Sequence, residues 1–317
     1  MQSRFRIYLA LVSMVFLFQS CAVSEETGGK GFQNYLFAYF TGNGKGEEAV
    51  HYALSPDGYH FYALNNDEPI IDTKDISKAG GVRDPHILRG EDGMFYMVLT
   101  DLKSAKGWTN TAMIMLKSRD LIHWKSSLVD IPQSFPGKYS DVMRVWAPQT
   151  IYDDEAGKYM VYFSMLQPGS YDKIYYAYAN KNFTGLEEAP KQLFFNPKEM
   201  ATIDGDIIKK DGKFHLFYKT EGSSDKGIKV AISDSLTGGY EPVPGNVDQT
   251  DKAVEGSGVF KLIDSDKYIL MYDVYMEGEY QFAESTDLKN FKIIDEEISM
   301  NFHPRHGTVI PVTQQET

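Results

Sequence analysis

A repeated pattern of short apolar strands constrains the fold of this chain more than any other feature of its sequence. An apolar strand is followed by Ser or Asn, a short loop, and then an aromatic or large apolar residue. The pattern occurs at Ser55, Ser118, Asn180, Ser233 and Ser285, at intervals of 63, 62, 53 and 52 residues. Repeats of about 40 to 50 residues that hold several strands each are typical of β-propeller blades.

Turns and residue types also favour an all-β fold. In four of the units, an Asp/Gly turn and another strand precede the repeat, as in "EDGMFYMVLT" and "KDGKFHLFYK". The 317 residues include 21 Tyr and 19 Phe, which are types that strands favour, and no stretch has a convincing helical period. We therefore predict an all-β, five-bladed β-propeller. A β-sandwich would explain the strand content but not the spacing.

The two ends of the chain are predicted to meet in one blade. The first copy of the repeat has no turn-and-strand unit before it, and the chain ends in an unpaired strand-like run, "GTVIPV". Pairing of the N- and C-terminal strands would close the ring and remove exposed sheet edges. Because no Pro/Ser/Gly-rich linker interrupts the repeat, we predict a single propeller domain over residues 34–317.

The N-terminus has the pattern of an export signal. Arg4 and Arg6 precede the apolar run "IYLALVSMVFLF", which is too short to span a membrane as a helix. Cys21 follows shortly after, next to a small residue, as in a bacterial lipoprotein signal in which the Cys is lipidated. We predict a signal peptide over residues 1–20, a polar tether over 21–33, and an exported lipoprotein at the bacterial outer membrane or in the periplasm. Secretion without lipidation is the alternative.

Charge and cysteine content exclude two classes of function. The 44 Asp and Glu against 32 Lys and Arg give a net charge of -12, whereas a nucleic-acid-binding protein needs a clustered basic surface. With a single Cys, the chain can form neither an internal disulfide nor a Cys-based zinc site. We expect no nucleic-acid partner, membrane contact only through the lipid anchor, and a monomer.

Acidic residues stand at the start of several predicted inner strands. Propeller blades direct the start of the innermost strand toward the central channel, so polar residues there converge. Three such starts carry Asp84, Asp204 with Asp206 nearby, and Glu255. Alone, each acid would be interpreted as a turn residue. Together we expect them at equivalent positions of neighbouring blades, lining one pocket where burial and repulsion separate their pKa values, as glycoside hydrolysis requires.

These motifs, in this order, resemble glycoside hydrolase family 43, five-bladed propeller enzymes that act on polysaccharides containing arabinose, xylose or galactose. The resemblance covers about Tyr35 to Val312. It implies that Asp84 is the general base and Glu255 the general acid, 6.5 to 9.5 Å apart as inversion requires. Asp204 would be the third carboxylate, which raises the pKa of the acid and orients it. The matching motifs are Asp84-Pro85, "WAP" at 146–148, "ID" at 203–204, "EG" at 255–256 and "RHGT" at 305–308.

Other side chains are weaker candidates for substrate contacts. Trp146 is expected to be a platform for a sugar ring or a packing residue between blades. Asp206 competes with Asp204 because residues two apart in a strand face the same side. His306 is expected to bind water or a structural calcium ion, as in some relatives, or to be a hydrogen-bonded core histidine. No other metal and no required cofactor are predicted.

The segment before Asp84 and the neighbours of that residue complete the candidate set. The stretch at residues 35–61 is predicted to contribute strands to the closing blade. Phe40, with Thr41 and Asn43, is expected to line the pocket and to influence which sugar fits. Arg83 and His86 flank Asp84, and strand alternation predicts that both point away from it.

The resemblance implies an inverting exo-glycosidase that releases terminal pentose, with α-L-arabinofuranose first, from arabinan, arabinoxylan or arabinogalactan. β-D-xylosidase and exo-β-1,3-galactosidase are alternatives of the same fold. A related propeller clan that acts on fructosides is disfavoured because Gly256, and not Cys, follows the acid. A non-catalytic glycan-binding lipoprotein is the alternative of a different class, and the presence of all three acids argues against it.

Overall fold

The computed structural model describes residues 31–222 and 225–317. The predicted signal peptide, Cys21 and most of the predicted tether lie outside the described residues. In chain order the strands are β1 (Phe32–Tyr39), β2 (His51–Ser55), β3 (His60–Ala63), β4 (Val82–Arg89), β5 (Phe95–Asp101), β6 (Ala112–Ser118), β7 (Lys125–Asp130), β8 (Arg144–Asp153), β9 (Lys158–Leu166), β10 (Lys173–Tyr178), β11 (Lys191–Phe194), β12 (Ala201–Lys210), β13 (Lys213–Glu221), β14 (Gly227–Ser233), β15 (Glu241–Pro242), β16 (Glu255–Lys261), β17 (Tyr268–Val274), β18 (Glu279–Ser285), β19 (Lys292–Ile293), β20 (Ser299–Met300) and β21 (Thr308–Thr313).

Helical elements are short. Two helices of one turn are capped by aspartates that accept backbone N–H bonds, which satisfies otherwise unpaired donors. Across the described ranges, no helix is long and apolar enough to cross a membrane. The elements are α1 (Thr73–Ile76), α2 (Ile131–Ser134) and 3-10 turns at Asn65–Asp67, Ser104–Lys106 and Asp295–Glu297.

The strands form five sheets, each of which is one blade. Blade 2 contains β4 to β7, blade 3 β8 to β11, blade 4 β12 to β15, and blade 5 β16 to β19, each in simple sequential order. Blade 1 has the order β20-β3-β2-β1-β21 and so combines strands from both ends of the chain. The antiparallel pairing of β1 with β21 confirms the predicted closure of the ring.

The five inner strands surround a common axis. Contacts run from β4 to β8, from β8 to β12, from β12 to β16, from β16 to β21, and from β21 back to β4. Between each pair of adjacent blades lies a separate apolar cluster, rich in Phe, Tyr, Met and Val. The all-β, five-bladed propeller predicted from the repeat is therefore confirmed.

The repeated Ser has a clear local role. The hydroxyl of Ser118, at the end of β6, accepts backbone N–H bonds from Asp120 at 3.2 Å and Leu121 at 3.1 Å. Ser55 and Ser285 make the same bonds at the ends of β2 and β18. The repeat found in the sequence is thus a turn that ends the third strand from the axis and starts the outermost one.

Candidate active site

A bulge at the start of the inner strand is shared by blades 2 to 5. In each blade, two residues of the inner strand lie opposite one residue of the next strand. The first residue of each pair has a positive φ, which is 53° at Asp84, 44° at Ala147, 53° at Asp204 and 63° at Gly256. Such backbone is uncommon outside glycine, and it redirects the side chains around it.

The bulge corrects one prediction about the acids. Asp84 and Asp204 occupy the first bulge position, but Glu255 lies one residue earlier, before Gly256. The expectation of equivalent positions in neighbouring blades was therefore wrong, and blade 3, which contributes no acid at this position, separates blades 2 and 4. The residues that correspond to Glu255 in the other three blades are Arg83, Trp146 and Ile203.

All three acids nevertheless line one pocket at the strand starts. It is closed on its sides by aromatic and charged residues from all five blades. Of the predicted substrate residues, Trp146 and His306 belong to it, whereas Phe40 and Asp206 do not. The lining residues are Arg83, Asp84, Thr100, Leu102, Trp108, Trp146, Ile203, Asp204, Glu221, Glu255 and His306.

Asp84 is held by one hydroxyl and one imidazole. Its Oδ2 accepts a bond of 2.7 Å from Thr100 Oγ1, and its Oδ1 lies 3.4 Å from His306 Nδ1. Burial would raise the pKa of Asp84, but the hydrogen bond and charge of His306, the charge of Arg83 and the Thr100 hydroxyl outweigh burial and lower it. Asp84 is therefore an ionised carboxylate at neutral pH.

His306 and His86 lie in the same region in opposite charge states. Burial favours neutral His306, but the hydrogen bond and charge of Asp84 and the charges of Asp204 and Glu255 raise its pKa to about 9. Burial and the charge of His306 lower the pKa of His86 to about 3. Neutral His86 accepts a bond of 3.3 Å from the Thr150 backbone N–H at its Nδ1.

Asp204 is the most enclosed of the three acids. Its Oδ2 accepts a bond of 3.0 Å from the backbone N–H of Gly256, the residue after Glu255. Burial raises the pKa of Asp204 to about 6, against the charges of His306 and Lys219, while the charges of Glu255 and Asp84 add to the rise. Asp204 thus ties its own strand to the strand that carries Glu255.

Glu255 is surrounded by cations. Arg305 Nη2 donates to Glu255 Oε1 at 2.8 Å, and Lys219 Nζ donates to Oε2 at 3.3 Å. Lys219 also pairs with Glu221 at 3.0 Å, and the Arg305 Nε donates to the fully buried Asp273. Each cation therefore also pairs with a second acid, and this second pair fixes the orientation of the cationic side chain.

Aromatic rings form one wall of the pocket. The rings of Trp108 and Trp146 meet edge to face with centroids 6.3 Å apart, and Trp108 is 47% exposed. The Arg144 guanidinium lies 4.4 Å from the centre of the Trp146 ring. These rings offer an apolar surface of the kind that the C–H faces of sugars contact.

Three expectations about neighbouring residues were wrong, two of them because a bulge interrupts the strand. Arg83 lines the pocket instead of pointing away, because the bulge at Asp84 interrupts strand alternation. Asp206 does not share the face of Asp204, and its Oδ2 accepts from the Val259 backbone N–H at 2.6 Å. Phe40 is buried beneath the Arg83 guanidinium, 4.5 Å from its ring centre, so it supports a pocket residue rather than facing the pocket.

Several pocket residues were missed by the sequence analysis. Trp108 lies in a loop after β5. A large aromatic residue in a loop was the available indication that it contacts a ligand. Glu221, Lys219 and Arg305 follow no repeat position of the acids. Thr100 lies in the second strand of blade 2, in an otherwise apolar run, and a buried hydroxyl there was the available indication.

The calcium ion expected at His306 stays a prediction. Among the described side chains, no group of three or more His, Cys, Asp or Glu is placed to hold a metal ion. Calcium prefers oxygen ligands, and the His306 ring faces Asp84 with a raised pKa, so its charged form repels a cation. The side chains at this position do not fit a calcium site.

Comparison with known proteins agrees with this geometry. A family model described as a probable glycosyl hydrolase domain, related to glycoside hydrolase family 43, matches residues 30–317. The chain belongs to this family. The family predicted from the sequence motifs is thereby confirmed.

Curated and solved relatives of the family are distant. An α-L-arabinofuranosidase of Bifidobacterium longum is 25% identical over 240 residues, which is 68% of this chain and 22% of that protein. The chain thus spans about a fifth of the length of this curated relative. The α-L-arabinanase of Cellvibrio cellulosa, solved with arabinohexaose, is 16% identical, covers 84% of this chain and 95% of its own, and has a TM-score of 0.57. The xylan β-1,4-xylosidase of Bacillus halodurans is 17% identical over 87% of this chain and 55% of its own, with a TM-score of 0.60. These structural likenesses show the fold.

Proposed function

We propose that this protein is an inverting glycoside hydrolase that releases terminal α-L-arabinofuranose from the side chains of plant polysaccharides. The observation that supports the proposal most directly is the pocket that brings Asp84, Asp204 and Glu255 together beside Trp146. Membership in the family supports hydrolysis of a glycosidic bond. The name of the B. longum relative supports the choice of sugar.

In this proposal Asp84 is the general base. Its pKa is held low by His306, Arg83 and Thr100, so it is ionised and free to accept a proton at neutral pH. A water molecule gives its proton to Asp84 while the water oxygen forms a bond to the anomeric carbon from the face opposite the leaving group. The anomeric configuration is therefore inverted.

Glu255 is the general acid. As the bond between the anomeric carbon and the leaving oxygen breaks, that oxygen takes the proton of Glu255, and the acid returns to the ionised form that Arg305 and Lys219 bind in the structure. Asp204 supplies a negative charge nearby and holds the Gly256 backbone N–H, so it orients the acid. Trp146 and Trp108 would contact the sugar ring.

The predictions about export, lipidation, oligomeric state and polysaccharide substrate belong to the same proposal. The protein is an exo-acting, exported lipoprotein anchored at Cys21, in the outer membrane or periplasm of a bacterium, and acts as a monomer on arabinan, arabinoxylan or arabinogalactan. Labelling with a radioactive fatty acid in a bacterial host tests lipidation. Loss of the label in Cys21→Ser is expected, and unchanged labelling would contradict it.

A substrate screen tests the activity. The purified mature chain is incubated with arabinan, arabinoxylan and arabinogalactan, and with aryl α-L-arabinofuranoside, β-D-xyloside and β-D-galactoside. We expect arabinose as the main product, formed first as the inverted anomer in NMR spectra. Xylose or galactose as the main product would replace arabinofuranose by one of the two alternative sugars.

Matched variants separate catalysis from contamination and from binding alone. Asp84→Asn and Glu255→Gln are compared with Asp154→Asn and Glu279→Gln, which change exposed acids that do not line the pocket. We expect activity to be lost only in the first pair. Turnover that survives both pocket changes would refute the assignment, and glycan binding without any wild-type turnover would favour a non-catalytic binding protein.

A further inference from the structure

The second strand of blades 2 to 5 carries one buried polar residue at a repeated position. Each lies directly opposite the residue that precedes the bulge of the inner strand, as in the pair Arg83 and Thr100. Each is at most 5% exposed. We call them the anchor residues, and they are Thr100, Ser164, Lys219 and Asp273.

Three anchor residues bond to the inner strand of the following blade, and Asp273 bonds to the segment just before that strand. Thr100 Oγ1 accepts from the Ala147 backbone N–H at 2.8 Å, and Ser164 Oγ accepts from the Asp204 backbone N–H at 3.1 Å. Lys219 donates to Glu255 at 3.3 Å. Asp273, in blade 5, accepts from Arg305, which lies just before β21 of blade 1. Four successive blade junctions thus use the same position.

At the fifth junction, between blades 1 and 2, an aromatic ring contacts an arginine in addition to the hydrogen bond from Thr308 to the Pro85 backbone oxygen. Phe40 follows β1 directly, and its backbone oxygen accepts from the Arg305 N–H at 2.7 Å. Its ring lies 4.5 Å from the guanidinium of Arg83 in blade 2. The cycle of contacts therefore closes around the axis, directly beneath the pocket.

We propose that the anchor residues are positioning residues for the catalytic acids, with Thr100 serving Asp84 and Lys219 serving Glu255. This inference rests on the proposed function and assigns roles to residues that do not react themselves. The hydroxyl of Thr100 donates one hydrogen bond, to Asp84 Oδ2 at 2.7 Å, while its oxygen accepts a bond from the Ala147 backbone N–H in blade 3. The two bonds fix the direction of the hydroxyl, and with it the direction of the base.

Lys219 is fixed in a comparable way. Its ammonium group lies between Glu255 and Glu221 and 4.9 Å above the ring of Tyr275. A buried lysine is costly unless it is paired, so the position favours lysine for its two carboxylates rather than for packing. Because Glu221 binds the other side of the ammonium, Lys219 is held in place and in turn positions the Glu255 carboxylate.

Leaving-group dependence separates positioning of the acid from general stabilisation. Protonation is needed for a sugar leaving group, but much less for an aryl group that leaves as a stable anion. In Lys219→Met we expect kcat/KM to fall about 10- to 100-fold on arabino-oligosaccharides and less than about 3-fold on a nitrophenyl arabinofuranoside. Lys229→Met is the matched control, because Lys229 is also buried in blade 4 but pairs with Asp225 and Asn246. Equal losses on both substrates, or none beyond the control, would overturn the role of Lys219.

The base should respond differently. In Thr100→Val we expect kcat to fall about 10-fold on both substrates, because attack of water is needed whatever group leaves. Thr100→Ser, which keeps the hydroxyl, should restore most of the activity. The control is Thr111→Val, which removes a hydroxyl bonded to Asp130 in the outer part of the same blade. A Thr100→Val enzyme as active as the control would overturn the assignment.

Crystal structures of Thr100→Val and Lys219→Met without substrate give a readout that does not depend on turnover. We expect the Asp84 carboxylate to rotate in the first and the Glu255 carboxylate in the second. Unchanged carboxylates in both would overturn the proposal, even if activity falls. If Lys219→Met does not fold, Lys219→Arg takes its place and must still slow the oligosaccharide more than the aryl substrate. Absence of wild-type turnover would refute the proposed function, while the crystal structures still decide on the anchors.

Discussion

Asp84 and Glu255 both lie at the start of an inner strand, in blades 2 and 5, yet the protein surrounds them differently. Asp84 occupies the bulge itself and contacts one neutral hydroxyl and one imidazole. Glu255 stands one residue earlier and contacts two cations, because glycine takes the bulge position in blade 5. The difference teaches that a register shift of one residue assigns different chemical environments to two carboxylates at one pocket.

The largest loss of activity is expected when either of the two carboxylates is replaced. Asp84→Asn removes the base, so kcat should fall by at least about 10³-fold on every substrate. Glu255→Gln should cause a similar loss on oligosaccharides and a much smaller one on nitrophenyl glycosides, because the aryl group leaves without a proton. Steady-state kinetics on both substrate types measure this, and identical profiles for the two variants would contradict the separate roles.

The second largest loss of activity is expected from a substitution of Gly256 in the bulge of blade 5. Gly256 has a φ of +63°, and a Cβ there would lie 2.6 Å from His306 Cβ. Gly256→Ala should therefore displace His306 and Glu255 together, lower kcat about 100-fold and lower the melting temperature by several degrees, since such strain costs about 1 to 3 kcal/mol.

The matched control is Gly205→Ala in the blade 4 bulge. There a Cβ would meet only side-chain ends, Ile174 Cδ1 at 2.8 Å and Leu216 Cδ1 at 3.2 Å, and the backbone φ is not positive. Calorimetry and kinetics on both variants compare the two sites. An active Gly256→Ala enzyme with an unchanged melting temperature would show that the bulge does not need glycine.

The pH dependence of kcat/KM tests whether His306 controls the pKa of the base. His306 carries a raised pKa of about 9 and lowers the pKa of Asp84. In His306→Gln the pKa of Asp84 should rise, so the acidic limb of kcat/KM should move to higher pH, by about one unit. His215→Gln, a buried histidine of β13 outside the pocket, should leave the limb in place. An unmoved limb in His306→Gln would exclude charge control of the base.

The smallest effect concerns Asp206, a buried acid that belongs to neither role. Burial raises its pKa to about 7, above the usual unfolded value of about 3.8, against bonds from Val259 and the charge of His306. A raised carboxyl pKa stabilises the fold at low pH, and this contribution is lost as pH rises through about 7. Asp206→Asn should therefore match the wild type at pH 4 and melt about 5 °C higher at pH 8. Equal melting temperatures at both values would contradict this account.

Much of the fold follows from local chemistry. The Ser at the end of a strand ends it by accepting two backbone N–H bonds, and the five-fold spacing of that turn indicates five blades. Closure by β21 could be predicted because an unpaired strand remained at each end. Bulges could not be predicted, because Asp84-Pro85 and Ile203-Asp204 are also compatible with a regular strand.

The candidate site divides in the same way. Asp84, Asp204 and Glu255 were visible because acids at strand starts are rare in an apolar repeat. Arg83 and Asp206 were placed on the wrong sides because the alternation rule fails where two residues lie opposite one. Lys219 carried no sequence pattern, and Arg305, although it begins the motif "RHGT", was given no role, since the acid that both contact is in another part of the chain.

The sequence by itself determined the all-β propeller, its number of blades, its closure and the identity of three candidate acids, because these depend on strand period, turn residues and residue type. Tertiary structure alone decided which neighbour each acid has, since three of those contacts join residues 16 to 52 positions apart and the contact of Asp84 with His306 spans most of the chain. Electrostatic interactions act over a few ångströms and depend on burial. The charge states of Asp84 and Asp204 are therefore properties of the closed ring and not of their own strands.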